Sequence, residues 1–350
     1  MRYFDDQLIA NSRDHAEWWE LACINREWFH QTEENFARIH NSAAVLPRDA
    51  WQELDGITRR IMRNDEGSAF MDDLMPLAKT VNIGKLVHLY RVSSDAGSVV
   101  RSLSGQVPVG LDKVVYDYRG TPVPIFSTAY GREWREWNTL KSENFDALSD
   151  DQEAHTAKIK RNMAQYVLAG DANIVVGGYQ AYGIQNHPYA KPVNLGSAVG
   201  GANIDLTSTS TTNDAIISFF HNYLGAILDA NLVGARKINV YVSPEIARRL
   251  DMFYSLAAGF KEGTLFDYLL KGRRINKIVT TYELTGNQFF AFIPSSEYIR
   301  PLVGMAVGTT PMTRLNPTDN YQFLIMGAMG LEIRADYSGK SGVFYSVVQN

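Results

Sequence analysis

The chain has 350 residues, 45% hydrophobic and 21% charged, too apolar for a disordered chain and long enough to build a sizeable core. Lys and Arg number 34 against 38 Asp and Glu, a formal charge of -4 with neither sign gathered into a tail, which argues against a dedicated nucleic-acid binder. One cysteine, Cys23, excludes an intrachain disulfide framework and any cysteine-rich zinc module.

The N-terminal stretch reads as helix from Ser12, a plausible N-cap, to about Phe36 or Ile39, with Trp18, Leu21, Ala22, Trp28 and Phe29 at near-helical spacing. It either docks on its own domain or needs a neighbouring subunit to cover its indoles. A second helix is expected from Pro47, carrying Trp51, Leu54, Ile57 and Ile61 on one side. Lys85–Val92 alternates as a strand does.

Two β-rich runs follow, Lys113–Tyr118 and Val123–Thr128, joined by Arg119-Gly120-Thr121-Pro122, which has turn chemistry. Pro122 and Pro124 restrict these runs to an edge or a free-standing hairpin, and two strands alone are marginal in water. The hairpin therefore needs a partner or folds back on its own core. Gly131–Trp137 alternates charged and aromatic residues, a pattern suited to contact between copies of one chain.

Ser149-Asp150-Asp151-Gln152 has capping-box spacing and predicts a helix over 150–169, about 30 Å long, with Ile159, Met163, Tyr166 and Val167 in one stripe and Gly170 as its stop. Beyond the Gly-rich loop Gly177–Pro188 and the polar stretch Thr207–Thr212, helices and strands alternate. Helix is expected over Asp214–Ala230 and Pro244–Phe253, and strand over Lys237–Ser243, Lys277–Glu283 and Phe289–Ile293. The end is β-rich: Tyr321–Met326, Leu331–Tyr337 and Val343–Val348. The stretch 215–235 is interrupted by His221, Asn222, Asp229 and Asn231 and is not expected to span a bilayer. Met1–Asp6 lacks the basic start and apolar run of a signal peptide, so a soluble chain made inside the cell is expected.

Motifs that carry chemistry are mostly missing. None of the 27 glycines has another two residues on, which removes the dinucleotide fingerprint. Gly339-Lys340-Ser341 ends like a phosphate loop, but Arg334 replaces its first glycine, so a hairpin turn is the better reading. No zinc-protease spacing and no nucleophile elbow occur. Cys23 reads as a packed, inert thiol, and His187 before Pro188 as a turn residue. Asp72-Asp73 and Asp150-Asp151 could hold a divalent ion, although helix capping already explains the second pair. Gly272-Arg273-Arg274 could hold an anion but suits a solvated helix end. The expectation is a protein that is not an enzyme and has no cofactor, no metal and no catalytic residue.

The order of these elements resembles that of tailed-phage major capsid proteins of the Hong Kong 97 (HK-97) fold and the related linocin or encapsulin shells. Four stretches carry the likeness: Pro47–Asp55; Leu168-Ala169-Gly170-Asp171 with Tyr182–Pro188; Met326–Tyr337; and Ser341–Ser346. The resemblance implies an α+β capsid fold in several parts. These are an N-terminal arm (1–46), an extended β-hairpin loop (99–137), a peripheral domain with a long spine helix (47–98, 138–189 and 311–350) and an axial α/β domain (190–310). It further implies an icosahedral shell of pentamers and hexamers enclosing double-stranded DNA, assembled in a host cytoplasm and found in the virion. The alternatives are an encapsulin-type shell, or, from another class, a soluble α+β enzyme with a pocket at Gly177–Pro188.

Subunit-interface residues are expected at Trp18, Trp28, Tyr116, Tyr118, Arg119, Phe126, Arg132, Glu133, Trp134, Arg135, Glu136 and Trp137. Other expected partners are a portal, a separate scaffolding protein, possible cement proteins and packaged DNA held non-specifically, with no membrane. Some such capsids cross-link a lysine near the loop tip to an asparagine of another subunit. The expected tip, Arg119–Pro122, has no lysine and Lys113 would lie toward its base, so a non-covalent shell is expected.

Overall fold

The computed structural model describes Cys23, Arg26, residues 69–97, Val99, Arg101, Leu103, and residues 113–142, 147–253 and 263–350. Cys23 and Arg26 are helical; Trp18, Trp28 and the helix expected from Pro47 lie outside the described residues. From residue 69 onward the described chain forms two compact units. One comprises 129–153 and 309–324, and the other holds the remainder.

In the larger unit, helix α1 (Ala69–Leu74) leads through a short 3-10 turn to strand β1 (Lys79–Thr80). Strands β2 (Val87–Ser93) and β3 (Tyr116–Pro122) then pair antiparallel, Val87 opposite Pro122 and Ser93 opposite Tyr116. This overturns the expected hairpin. Lys113–Tyr118 and Val123–Thr128 do not pair with each other, and Arg119–Pro122 is strand rather than turn. The second run belongs to β4 (Ile125–Arg132), which lies at the far edge of a four-stranded sheet ordered β1-β11-β12-β4 with β11 (Ile299–Pro311) and β12 (Tyr321–Ile333).

Two physical reasons explain the misreading. Gly120 is required for close approach, since a Cβ there would stand 2.7 Å from the Tyr179 ring. Pro122 sits at the strand's last position, where its missing N–H costs little. The chain's hairpin is therefore β2–β3, with its connection in 94–115, and Lys113 stands on the connection side rather than toward the base. The lack of a tip lysine no longer argues for a non-covalent shell.

The long helix α3 (Ala147–Ala169) has 23 residues, about 35 Å, and starts ahead of the expected cap. Asp150 and Asp151 are thus inside the helix rather than capping it. The predicted stripe of Ile159, Met163, Tyr166 and Val167 is buried. It packs on the four-stranded sheet: Phe126 meets Tyr166 edge-on at 5.3 Å, and a Cβ on Gly327 would stand 2.7 Å from the Met163 methyl. Gly170 ends the helix at φ 67°. The last carbonyls are satisfied by the Ile184 and Gln185 N–H groups, which donate to Val167 and Leu168 at 2.8 and 2.9 Å, and by the Asn186 amide, which donates to Ala169 at 2.6 Å. The hairpin β5–β6 (Gly170–Val176, Tyr179–Tyr182) lies between helix and loop, turning on Gly177 and Gly178, both at positive φ.

A five-stranded sheet has the order β7-β13-β10-β8-β9, from Lys191–Asn194, Val343–Val347, Phe289–Phe292, Ile238–Val242 and Ile275–Thr280. The C-terminal strand β13 thus enters the sheet of the α/β section. One face, with Val240, Val242, Phe289, Ala291 and Phe344, shares a core with the helical run Asn213–Ala230 and helices Pro244–Leu250 and Leu265–Leu270. The run 213–230 contains a π-helical turn at Phe219–Tyr223. On the other face Tyr241, Phe290 and Phe292 stack, and Phe70 of α1 meets Phe290 edge-on at 5.4 Å. Alternation along each strand separates the two aromatic sets.

In the smaller unit Tyr130 stacks on Phe323 at 5.2 Å, and Trp137 of helix α2 (Trp134–Ser142) packs on Tyr321 at 5.9 Å. The Arg314 guanidinium lies 4.0 Å over the Tyr321 ring and donates to the Asp319 and Pro317 carbonyls, closing the turn between β11 and β12.

Candidate functional site

The β2–β3 hairpin carries the residues for which a partner is expected, and alternation gives it two unlike faces. His88, Tyr90, Val92, Arg119 and Thr121 point inward; Leu89, Arg91, Ser93, Tyr116 and Tyr118 point outward. Its base is fixed by a buried carboxylate. Glu332 of β12 is fully buried and accepts from His88 Nδ1 at 2.7 Å and from Arg300 at 2.8 Å, with Arg334 at 3.5 Å. With Nδ1 donating, His88 Nε2 faces the Lys79 ammonium at 3.1 Å as acceptor.

Around this centre the Tyr90 hydroxyl donates to the Ile333 carbonyl at 3.3 Å, and burial raises its pKa. Arg119 donates to the Ala335 carbonyl at 3.0 Å and lies 4.0 Å over the Tyr189 ring. His187 packs against Tyr182 and Tyr189 and accepts from the Tyr189 N–H at 3.1 Å. Burial, then the Arg119 charge, lowers its pKa to about 4, so it is neutral near pH 7.

The far end of the hairpin lacks such fixings. Tyr116 and Tyr118 are 55% and 58% exposed, Val114 and Val115 lie open beside them, and Arg91 rests 4.6 Å over the Tyr116 ring. Of the other residues expected at interfaces, Phe126 is half-buried against Tyr166. Arg132 makes a bidentate pair with Asp151 (2.6 and 3.0 Å) and bonds Glu136 at 2.8 Å. Trp137 is buried inside its own unit, Trp134 is half-buried, and Glu133 and Arg135 are exposed. The alternating segment at 131–137 is thus partly engaged within the chain, because the helical period turns Trp137 inward.

The weak chemical candidates have structural uses. Asp73 accepts from the Tyr241 hydroxyl and pairs with Lys277; burial, reinforced by Asp73, raises the tyrosine's pKa. Arg274 pairs with Asp229 at 2.9 Å and caps the Gly225 carbonyl. Lys340 N donates to Asp336 Oδ1 in a turn with Gly339 at φ 76°, as expected of a hairpin turn. Among the described residues no group of three or more His, Cys, Asp or Glu is placed to hold a metal ion, and no helix is long and apolar enough to cross a membrane. The Glu332 centre was not foreseen; its signal was one acid inside the apolar run Met329–Ile333.

Comparison with curated proteins finds no match. Solved structures do resemble the chain. The capsid of Myoviridae phage XM1 aligns at TM-score 0.61 and 13% identity, over 81% of this chain and 92% of that one. A virus-like particle from Pyrococcus furiosus aligns at 0.55 and 14%, over 85% and 99%. The capsid of a native GTA particle aligns at 0.53 and 13%, over 79% and 89%. These likenesses give the fold, α+β of the HK-97 capsid type. Residues 41–346 match the model of a family of unknown function, DUF6260, and the chain belongs to that family.

Proposed function

We propose that the chain is the major capsid protein of a tailed bacteriophage, assembling with itself into an icosahedral shell around double-stranded DNA. The observation that supports this best is coverage: the chain spans 92% and 99% of two subunits whose described particles are a phage capsid and a virus-like particle. Its role in this reading is structural rather than catalytic, as befits a subunit of a shell. In this reading the β2–β3 hairpin is the extended loop, α3 the spine helix and the five-stranded sheet the axial domain. The outward tyrosines of the hairpin meet neighbouring copies. A portal, a separate scaffolding protein and cement proteins would act at assembly in the host cytoplasm, and DNA would be held non-specifically.

The match to the Pyrococcus furiosus particle favours a second reading, a cellular encapsulin-type shell. Negative-stain microscopy of the purified protein tests both: uniform hollow particles are expected, and a persistent small oligomer contradicts a shell. The contents then separate the readings, with packaged nucleic acid expected for a capsid and a cargo enzyme for an encapsulin.

A further inference from the structure

A cavity of about 470 Å³ opens in the larger unit where β2, the end of the helical run 213–230 and the turn after β12 meet. Spaces of this order hold small organic ligands. Three cations line it, Arg91, Arg334 and Lys340, against the carboxylates of Glu297 and Asp336. Each carboxylate has a partner of its own: Arg236 donates to Glu297 at 3.0 Å, and Asp336 Oδ1 accepts the Lys340 N–H at 2.7 Å. The Arg91 guanidinium rests on the Tyr116 ring, and neither it nor the Lys340 ammonium forms an ion pair among the described residues. The surroundings are also rich in cations. Glu332 is shared by His88, Arg300 and Arg334, while Arg119, beside Tyr90, reaches Asp117 at 3.8 Å. A chain of net charge -4 thus gathers positive charge at this place.

The cavity lining also includes a residue in a conformation its type rarely adopts. Leu232 has φ 60° and is 75% exposed. It ends the helical run, where the Val233 N–H donates to the Leu228 carbonyl and the Leu232 N–H to that of Asp229, both at 3.0 Å. A helix stop of this kind favours glycine, because a Cβ is crowded in the left-handed region. A leucine there is strained, and its exposed side chain adds little to the core. Strain of this sort marks places where a side chain serves a site. Tyr337, which lines the same cavity, is 48% exposed.

We propose that this cavity binds a nucleotide unit, its phosphate on Arg91, Arg334 and Lys340 and its base against Tyr337 and Leu232. Guanidinium groups donate in a fork that matches phosphate oxygens, and an exposed tyrosine ring offers a stacking face that any base can use. An acidic peptide would satisfy the cations but brings no planar base to Tyr337 and Leu232. The unit could come from a free nucleotide or from a single strand of nucleic acid, which share this chemistry. The site lies within one subunit and does not depend on a shell.

The test titrates the purified full chain by calorimetry with thymidine monophosphate, a short oligothymidylate, inorganic phosphate and an oligoglutamate peptide. Both thymidine ligands are expected to bind, with inorganic phosphate weaker by about tenfold or more. An oligothymidylate that binds about tenfold above the monophosphate supports a single strand as the source, and equal affinity supports a free nucleotide. Arg91→Gln with Lys340→Gln should weaken the monophosphate about tenfold and leave the unfolding midpoint in place. Leu232→Gly separates a role in binding from one in folding. Relief of the left-handed backbone should raise the unfolding midpoint, while affinity falls about threefold. The proposal is overturned if neither thymidine ligand binds, if phosphate or oligoglutamate binds as tightly, or if both variants keep full affinity. Should the double variant lose its fold, Leu232→Gly decides.

Discussion

The two ends of the β2–β3 hairpin are built on opposite principles. At the base, inward polar groups are held within the same chain: His88 and Arg300 on Glu332, Tyr90 on the Ile333 carbonyl, Arg119 on Ala335 and Tyr189. At the far end, Val114, Val115, Tyr116 and Tyr118 present apolar surface to solvent. A two-stranded ribbon is marginal alone, so the base anchors the element and leaves its outer end available. The contrast teaches that stability and association are carried by separate residues a few positions apart on one strand.

The largest expected effect breaks the base. Glu332→Gln leaves Arg300 and Arg334 facing a neutral group in the interior and should cost about 3 kcal/mol or more, read by denaturant unfolding of the dissociated subunit. The next concerns His187. Its folded pKa, lowered to about 4, lies below the ordinary 6.5, so below pH 6.5 the unfolded chain takes up a proton that the folded chain refuses. Stability is full above that pH and falls between pH 6.5 and about 4, by roughly 3 kcal/mol; His187→Phe should flatten this slope in unfolding measured across that range. Gly120→Ala presses a methyl against the Tyr179 ring and should cost about 1–3 kcal/mol in the same assay. At the far end, Tyr116→Ser with Tyr118→Ser should change subunit stability by no more than about 0.5 kcal/mol while reducing assembly, read by mass photometry. A loss of several kcal/mol there would erase the distinction between the two ends.

Legibility in the sequence followed burial. Lys237–Ser243, Phe289–Ile293 and Val343–Val348 became β8, β10 and β13, because strands covered on both faces read as apolar runs. The stripe Ile159–Val167 located the long helix correctly, although the helix starts at Ala147, ahead of Ser149. Glycines misled twice. Gly120 suggested a turn but makes room for Tyr179. Gly327 and Gly330 split Tyr321–Ile333 into two expected strands, yet serve a single strand crossed closely by Met163, Val307 and Pro122. The expected interface residues were read from local composition, which cannot report that Arg132 finds Asp151 or that Trp137 finds Tyr321. The Glu332 centre joins residues 88, 300, 332 and 334, and no local pattern connects positions so far apart.

The most direct measurement is amide hydrogen exchange of assembled particles against dissociated subunits. Val87–Val92 and Arg119–Thr121 should be protected in both states, whereas Val114–Tyr118 should gain protection only on assembly. Equal exchange of that last segment in both states would contradict a hairpin whose outer end is completed by a neighbour.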